Sequence, residues 1–117
     1  MAYVDGFVLP IPAKNVDAYK RMARKASKVW KDHGALEYVE CVYDGLHIKG
    51  MQTFPRGIKV KRGETVIMAW ITYKSRAHRD KVMAKVMADP RLADMPSPMP
   101  FDSERMLYGG FKTLVSF

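Results

Sequence analysis

The sequence predicts an α+β domain of βαββαβ order, with a four-stranded antiparallel sheet and two helices on one of its faces. Three observations predict it. Short β-branched and aromatic runs alternate with two longer amphipathic stretches. Those runs fall into two successive strand–helix–strand halves. The third strand, finally, is apolar on both of its faces, as a strand inside a packed sheet would be.

Tyr3 to Leu9 reads as the first strand, closed by Pro10 and Pro12. A helix follows, with Asn15 as its N-cap and Gly34 just past its end. At 100° per residue, Val16, Tyr19, Met22, Ala23, Ala26, Val29, Trp30 and His33 share one side. The opposite side carries Asp17, Lys20, Arg21, Arg24, Lys25, Lys28, Lys31 and Asp32, a solvated and mainly basic back. Leu36 to Tyr43 is the second strand and Thr65 to Tyr73 the third. The connection between them contains Gly45, Gly50, Pro55 and Gly57, and is too long and broken for a tight hairpin. Ser75 caps a second helix that runs to about Ala88 and stops at Asp89-Pro90. A Pro-rich tether, Met95-Pro-Ser-Pro-Met-Pro100, leads into a last strand at about Arg105 to Val115.

In the third strand Val66, Met68, Trp70 and Thr72 face one way, and Ile67, Ala69, Ile71 and Tyr73 the other. Helices on one face leave the second apolar face open, and such a patch marks an interface. Two sheets packed open face to open face form a two-fold dimer, so the expectation is a homodimer.

The bulk numbers bound the class. A chain of 117 residues is a single domain, 1–117, able to bury roughly two-thirds of its unfolded surface. No apolar run approaches the ~20 residues of a membrane span, and the basic-then-apolar order of a signal peptide is missing from Met1-Ala-Tyr-Val-Asp-Gly. The single Cys41 excludes an internal disulfide and fits a reducing compartment, so the expected location is cytoplasmic, without membrane attachment. Three histidines and one cysteine, none at ligand spacing, argue against a metal site. Phosphate-loop, dinucleotide and nucleophile-elbow motifs are missing, so no cofactor is expected. Twenty basic against twelve acidic residues give +8, which favours polyanions or serves solubility.

Five residues are candidates for a pocket or anion site: Arg79, His33, Trp70, Asp102 and Arg105. Arg79 falls between Val82, Met83 and Val86 in the apolar stripe of the second helix. A guanidinium there either pins helix to sheet through Asp5, Glu37, Glu40 or Asp102, clamps a bound anion, or snorkels outward. His33 stands on the apolar face of the first helix, packed at its negative end, or acts as an acid–base group if Glu37 or Glu40 orients it. Trp70 is either core or a cavity wall. Asp102 and Arg105 fasten the tether by an ion pair or turn, or sit at the mouth of a pocket that the tether lids. Gly109-Gly110, inside a strand pattern, marks a bulge or a close backbone approach.

Four runs carry a family resemblance: Tyr3-Val-Asp-Gly-Phe-Val-Leu-Pro10, Gly34-Ala-Leu-Glu-Tyr-Val-Glu-Cys41, Tyr73-Lys-Ser-Arg-Ala-His-Arg-Asp80 and Met99-Pro-Phe-Asp-Ser-Glu-Arg-Met-Leu-Tyr-Gly-Gly-Phe111. Together they resemble the YbaA-like family of small bacterial proteins over almost the whole chain. The resemblance implies a ferredoxin-like unit assembled as a dimeric α/β barrel. It implies no established activity and supplies no catalytic set. Three functions follow as expectations. The first is a small-molecule-binding or enzymatic barrel. The second is RNA binding through the basic side of the first helix, which lacks interleaved aromatics. The third is a regulatory module without catalysis.

Overall fold

The computed structural model describes residues 2–117. β1 (Tyr3–Pro12) leads through a 3-10 turn at Ala13–Asn15 into α1 (Val16–Asp32), then β2 (Glu37–Val42). A single helical turn, α2 (Phe54–Gly57), interrupts the long connection to β3 (Glu64–Tyr73). α3 (Arg76–Met87) follows, then 3-10 turns at Pro90–Asp94 and Ser103–Arg105, and finally β4 (Leu107–Lys112). The sheet order is β2-β3-β1-β4, with every neighbouring pair antiparallel. Among the described residues, no helix is long and apolar enough to cross a membrane.

Both long helices lie on one face of the sheet. Alternation along β1 and β3 puts Leu9, Ile11, Ile67, Ile71 and Tyr73 on that face. Tyr19 and Ala23 of α1 pack on Leu9, Ile11 and Ile67, while Val29 of α1 with Val82 and Val86 of α3 pack on Ile71 and Tyr73. The clean apolar side of α1 therefore buries as its periodicity requires. Ser75 caps α3 as expected, its Oγ accepting from the His78 amide at 3.1 Å.

Several boundaries differ from expectation, each for a local reason. β1 continues through Pro10 and Pro12, which pair with Val66 and Glu64. The Ala13 amide donates to Gly63 on the β3 side, and the Ala2 carbonyl accepts from Thr113 on the β4 side. Even-numbered residues of β1 therefore direct their backbone groups towards β4. Pairing with β4 ends at Val8, so the prolines lack a donor only where no partner strand remains. Asn15 occupies the N-cap position of α1 without capping it, and its Nδ2 instead donates to the Pro100 carbonyl at 2.8 Å. The last strand is shorter than the predicted Arg105–Val115. Asp102 accepts from the Glu104 amide at 3.1 Å and winds the chain into a 3-10 turn through Arg105. The last strand's ladder to β1 runs to Thr113, whose amide donates to the Ala2 carbonyl at 2.9 Å. The ladder across Gly109-Gly110 is continuous, so no bulge forms there.

Candidate ligand cavity

Between α1, α3 and the sheet lies a cavity of about 620 Å³. Its wall carries Met22, Met83, Met87, Met95, Met99 and Met106, six of the nine methionines, beside as many aromatic rings. Unbranched and polarizable, methionine adapts to irregular partners, so this wall can take a range of apolar shapes. The Pro-rich tether forms one side of the cavity through Met95 and Met99, continued by Phe101. It is held in place at its C-terminal end and just beyond it. Asn15 takes the Pro100 carbonyl, and Arg105 forms a forked pair with Glu64, at 2.8 Å to Oε2 and 3.0 Å to Oε1. That pair, with the Lys61 amide, holds the Glu64 carboxyl below the usual range.

Three charged side chains reach the cavity wall: Asp5, Arg79 and Glu40. Asp5 is buried on β1, with 1% of its surface exposed. Arg79 Nε donates to both Asp5 oxygens, at 3.0 and 3.3 Å, and its other nitrogens donate to Tyr108 Oη at 2.6 Å and Asp80 at 3.2 Å. Tyr108 Oη donates in turn to Asp5 Oδ1 at 3.1 Å. The guanidinium thus pins α3 to β1 and β4 while one flank borders the cavity.

Glu40 forms the second polar pole. Register with β3 places Tyr38 and Glu40 on the helix face of β2. Tyr19 Oη, from α1, donates to Glu40 Oε1 at 2.6 Å, and Tyr38 Oη donates to Oε2 at 2.8 Å. Burial pushes the Glu40 carboxyl above its ordinary value, against the lowering effect of the two hydroxyls. Both tyrosines are raised, first by burial and then by the neighbouring carboxylate. A second groove of about 410 Å³, at the β2 edge, shares Tyr19, Tyr38 and Glu40, so this cluster forms a partition between the two spaces.

Of the five residues singled out from sequence, Arg79 alone lines the cavity. Trp70 lies on the opposite face of the sheet, where its Nε1 donates to Glu37 at 3.0 Å. His33 Nε2 stands 2.8 Å from Asp89, not near Glu37 or Glu40, and Arg91 binds the same carboxylate. Asp102 caps its own turn, and Arg105 pairs with Glu64 rather than with Asp102. Sequence reasoning treated Glu40 only as a partner for others. The available signal was the Tyr38-Val-Glu40 alternation, which places a carboxylate and a tyrosine on whichever face Tyr19 meets. Among the described residues, no group of three or more His, Cys, Asp or Glu side chains is placed to hold a metal ion.

An open antiparallel sheet with both long helices on one face, bordering a largely apolar cavity that opens to the surface, defines an α+β protein. Comparison with known proteins agrees on the fold. An uncharacterized NIPSNAP domain protein from Burkholderia xenovorans aligns with a TM-score of 0.57 at 12% identity, covering 95% of this chain and 93% of that one. The uncharacterized protein YbaA of Escherichia coli K12 is 42% identical over 115 residues, 98% of each chain. The YbaA protein of Shigella flexneri matches to the same extent. Residues 2–103 match the family described as a protein of unknown function, DUF1428, and the chain belongs to that family.

Proposed function

We propose that the chain binds an apolar small molecule in the cavity between α1, α3 and the sheet. The observation that carries this reading is the cavity itself. Its volume of about 620 Å³ lies within the ~300–1,000 Å³ of ligand pockets, and its wall is apolar with a few converging polar groups. The binding unit is a ferredoxin-like subunit of a homodimeric α/β barrel. The βαββαβ element order and the apolar open face of the sheet, with Met68, Leu107 and Phe111 exposed, support that assembly.

N-phenyl-1-naphthylamine, a neutral fluorophore that brightens in apolar surroundings, tests the reading. Saturable binding at one site per chain is expected. Met83→Trp or Ala26→Phe, each filling the cavity, is expected to abolish it with circular dichroism unchanged. Undiminished binding in both folded variants rejects the cavity as the site.

RNA binding rests on the outer face of α1, where Lys20, Arg21, Arg24, Lys25, Lys28 and Lys31 are exposed. The two aromatics of that helix turn inward, Tyr19 to Glu40 and Trp30 to Tyr73. The face therefore has charge without a stacking platform, and the cavity is the better-supported site.

A further inference from the structure

The charges on the cavity wall do not balance. Asp5 and Arg79 neutralise each other, and the one remaining lining charge is Glu40. No lysine, arginine or histidine nitrogen lies within ion-pair distance of Glu40 among the described residues. What faces it is Tyr19 from α1, Tyr38 from its own strand, and Ala69 across the ladder in β3. Lys20 and Arg24 line the outer groove and not the cavity. The +8 of the chain therefore sits outside, while the cavity is net negative.

The hydrogen bonding has the same polarity. A carboxylate accepts at about four lone-pair sites, and the two tyrosines occupy one on each oxygen. Both hydroxyl protons are committed to Glu40, so this pole offers a ligand acceptors and no donor. Around it stand the rings of Tyr19, Trp30, Tyr38 and Phe101, whose faces attract cations. A carboxylate so placed, without a protein cation, leaves lone pairs open to a cationic donor from outside.

We propose that the cavity selects an apolar amine, its protonated nitrogen donating to the Glu40 carboxylate clasped by Tyr19 and Tyr38, and its hydrocarbon body lying among the methionines. The inference rests on the binding function proposed above and assigns its ligand class. Chain-matched probes separate the two: decylamine, decanol and decanoate, each displacing N-phenyl-1-naphthylamine at pH 7. Decylamine is expected to bind about tenfold tighter than decanol, the gain of one hydrogen-bonded charge pair. Decanoate is expected to bind weakest. Glu40→Gln, of the same shape, is expected to bring decylamine to the level of decanol and leave decanol unchanged. Equal affinity for amine and alcohol, a preference for decanoate, or an amine preference that survives Glu40→Gln overturns the amine assignment while leaving the cavity as a binding site. Failure of all three to displace the fluorophore also overturns the amine assignment, whereas the binding function itself falls only if the fluorophore does not bind or its binding survives Met83→Trp and Ala26→Phe.

Discussion

Asp5 and Arg79 illustrate how one buried charge constrains its partner. The carboxylate has no water to turn to, and it takes its bonds from Arg79 and Tyr108. Arg79→Met leaves Asp5 with Tyr108 alone, and the expected loss of stability is about 3 kcal/mol, the lower end for a broken buried pair. Adding Asp5→Leu to that variant is expected to recover most of the loss, because the orphaned charge disappears. Urea denaturation of the single and double variants measures this, and a double variant as unstable as the single one contradicts it. Glu40 carries the opposite sign of linkage from an ordinary ion-paired acid. Its carboxyl is raised in the folded chain, so its contribution is fully present below the unfolded value near pH 4.5 and is lost as pH rises through the folded one. Glu64, lowered by Arg105, instead contributes above the unfolded value and loses that contribution as pH falls. Glu40→Gln does not titrate. The stability of this variant relative to the parent is therefore expected to increase from pH 4.5 to pH 8, read as a growing shift in urea midpoint. A constant difference across that range rules out a raised Glu40.

The tether shows what an element contributes when it has no regular structure of its own. Met95, Met99 and Phe101 wall the cavity, and the segment is secured by Asn15 at Pro100 and, just past it, by Arg105. Asn15→Ala removes one hydrogen bond, about 1 kcal/mol, and leaves the α1 cap without loss because the side chain never capped it. Amide exchange in residues 95–101 is expected to quicken about fivefold, with exchange in β1 and β3 unchanged. Uniform acceleration across the sheet would instead mean that Asn15 supports the whole fold. Elements with a single dominant period were legible in the sequence. The 3.6-residue stripe of α1 and the alternation of β3 name the buried residues almost one by one. Places where the outcome depends on a distant partner were not. Pro10 and Pro12 end a strand only if their missing donor faces another strand, and Asn15 caps a helix only if nothing else claims its amide. Arg79 was recognisable as inward because it interrupts an apolar stripe. Glu40 was not, since its burial arises from Tyr19, twenty-one residues away on another element.

At the scale of the molecule, the sheet remains uncovered on one side, and its chemistry there is that of an interior. Gly6 and Gly109 face each other across the β1–β4 ladder, and the Phe111 ring lies over both. A Cβ on Gly109 would meet that ring at 3.3 Å, and one on Gly110 would strike the Tyr3 ring on the opposite face. The double glycine thus lets an aromatic side chain lie flat on the open face while Tyr3 crosses β4 on the other. Phe111, Leu107 and Met68, on that same face of the sheet, are then presented to solvent. Exposed apolar area of this kind is removed from water at roughly 25 cal/mol per Å², and a second copy of the same face would remove it on both chains at once. Light scattering of the parent protein is therefore expected to give twice the 13.4 kDa of one chain. Leu107→Lys with Phe111→Asp, placing charges on that face, is expected to give a folded monomer. Neither substituted position lines the cavity, which lies on the other face of the sheet. The monomer should consequently still bind N-phenyl-1-naphthylamine. A monomeric parent at micromolar concentration rejects the open face as a dimer interface, and a variant that stays dimeric places the contact elsewhere on the molecule.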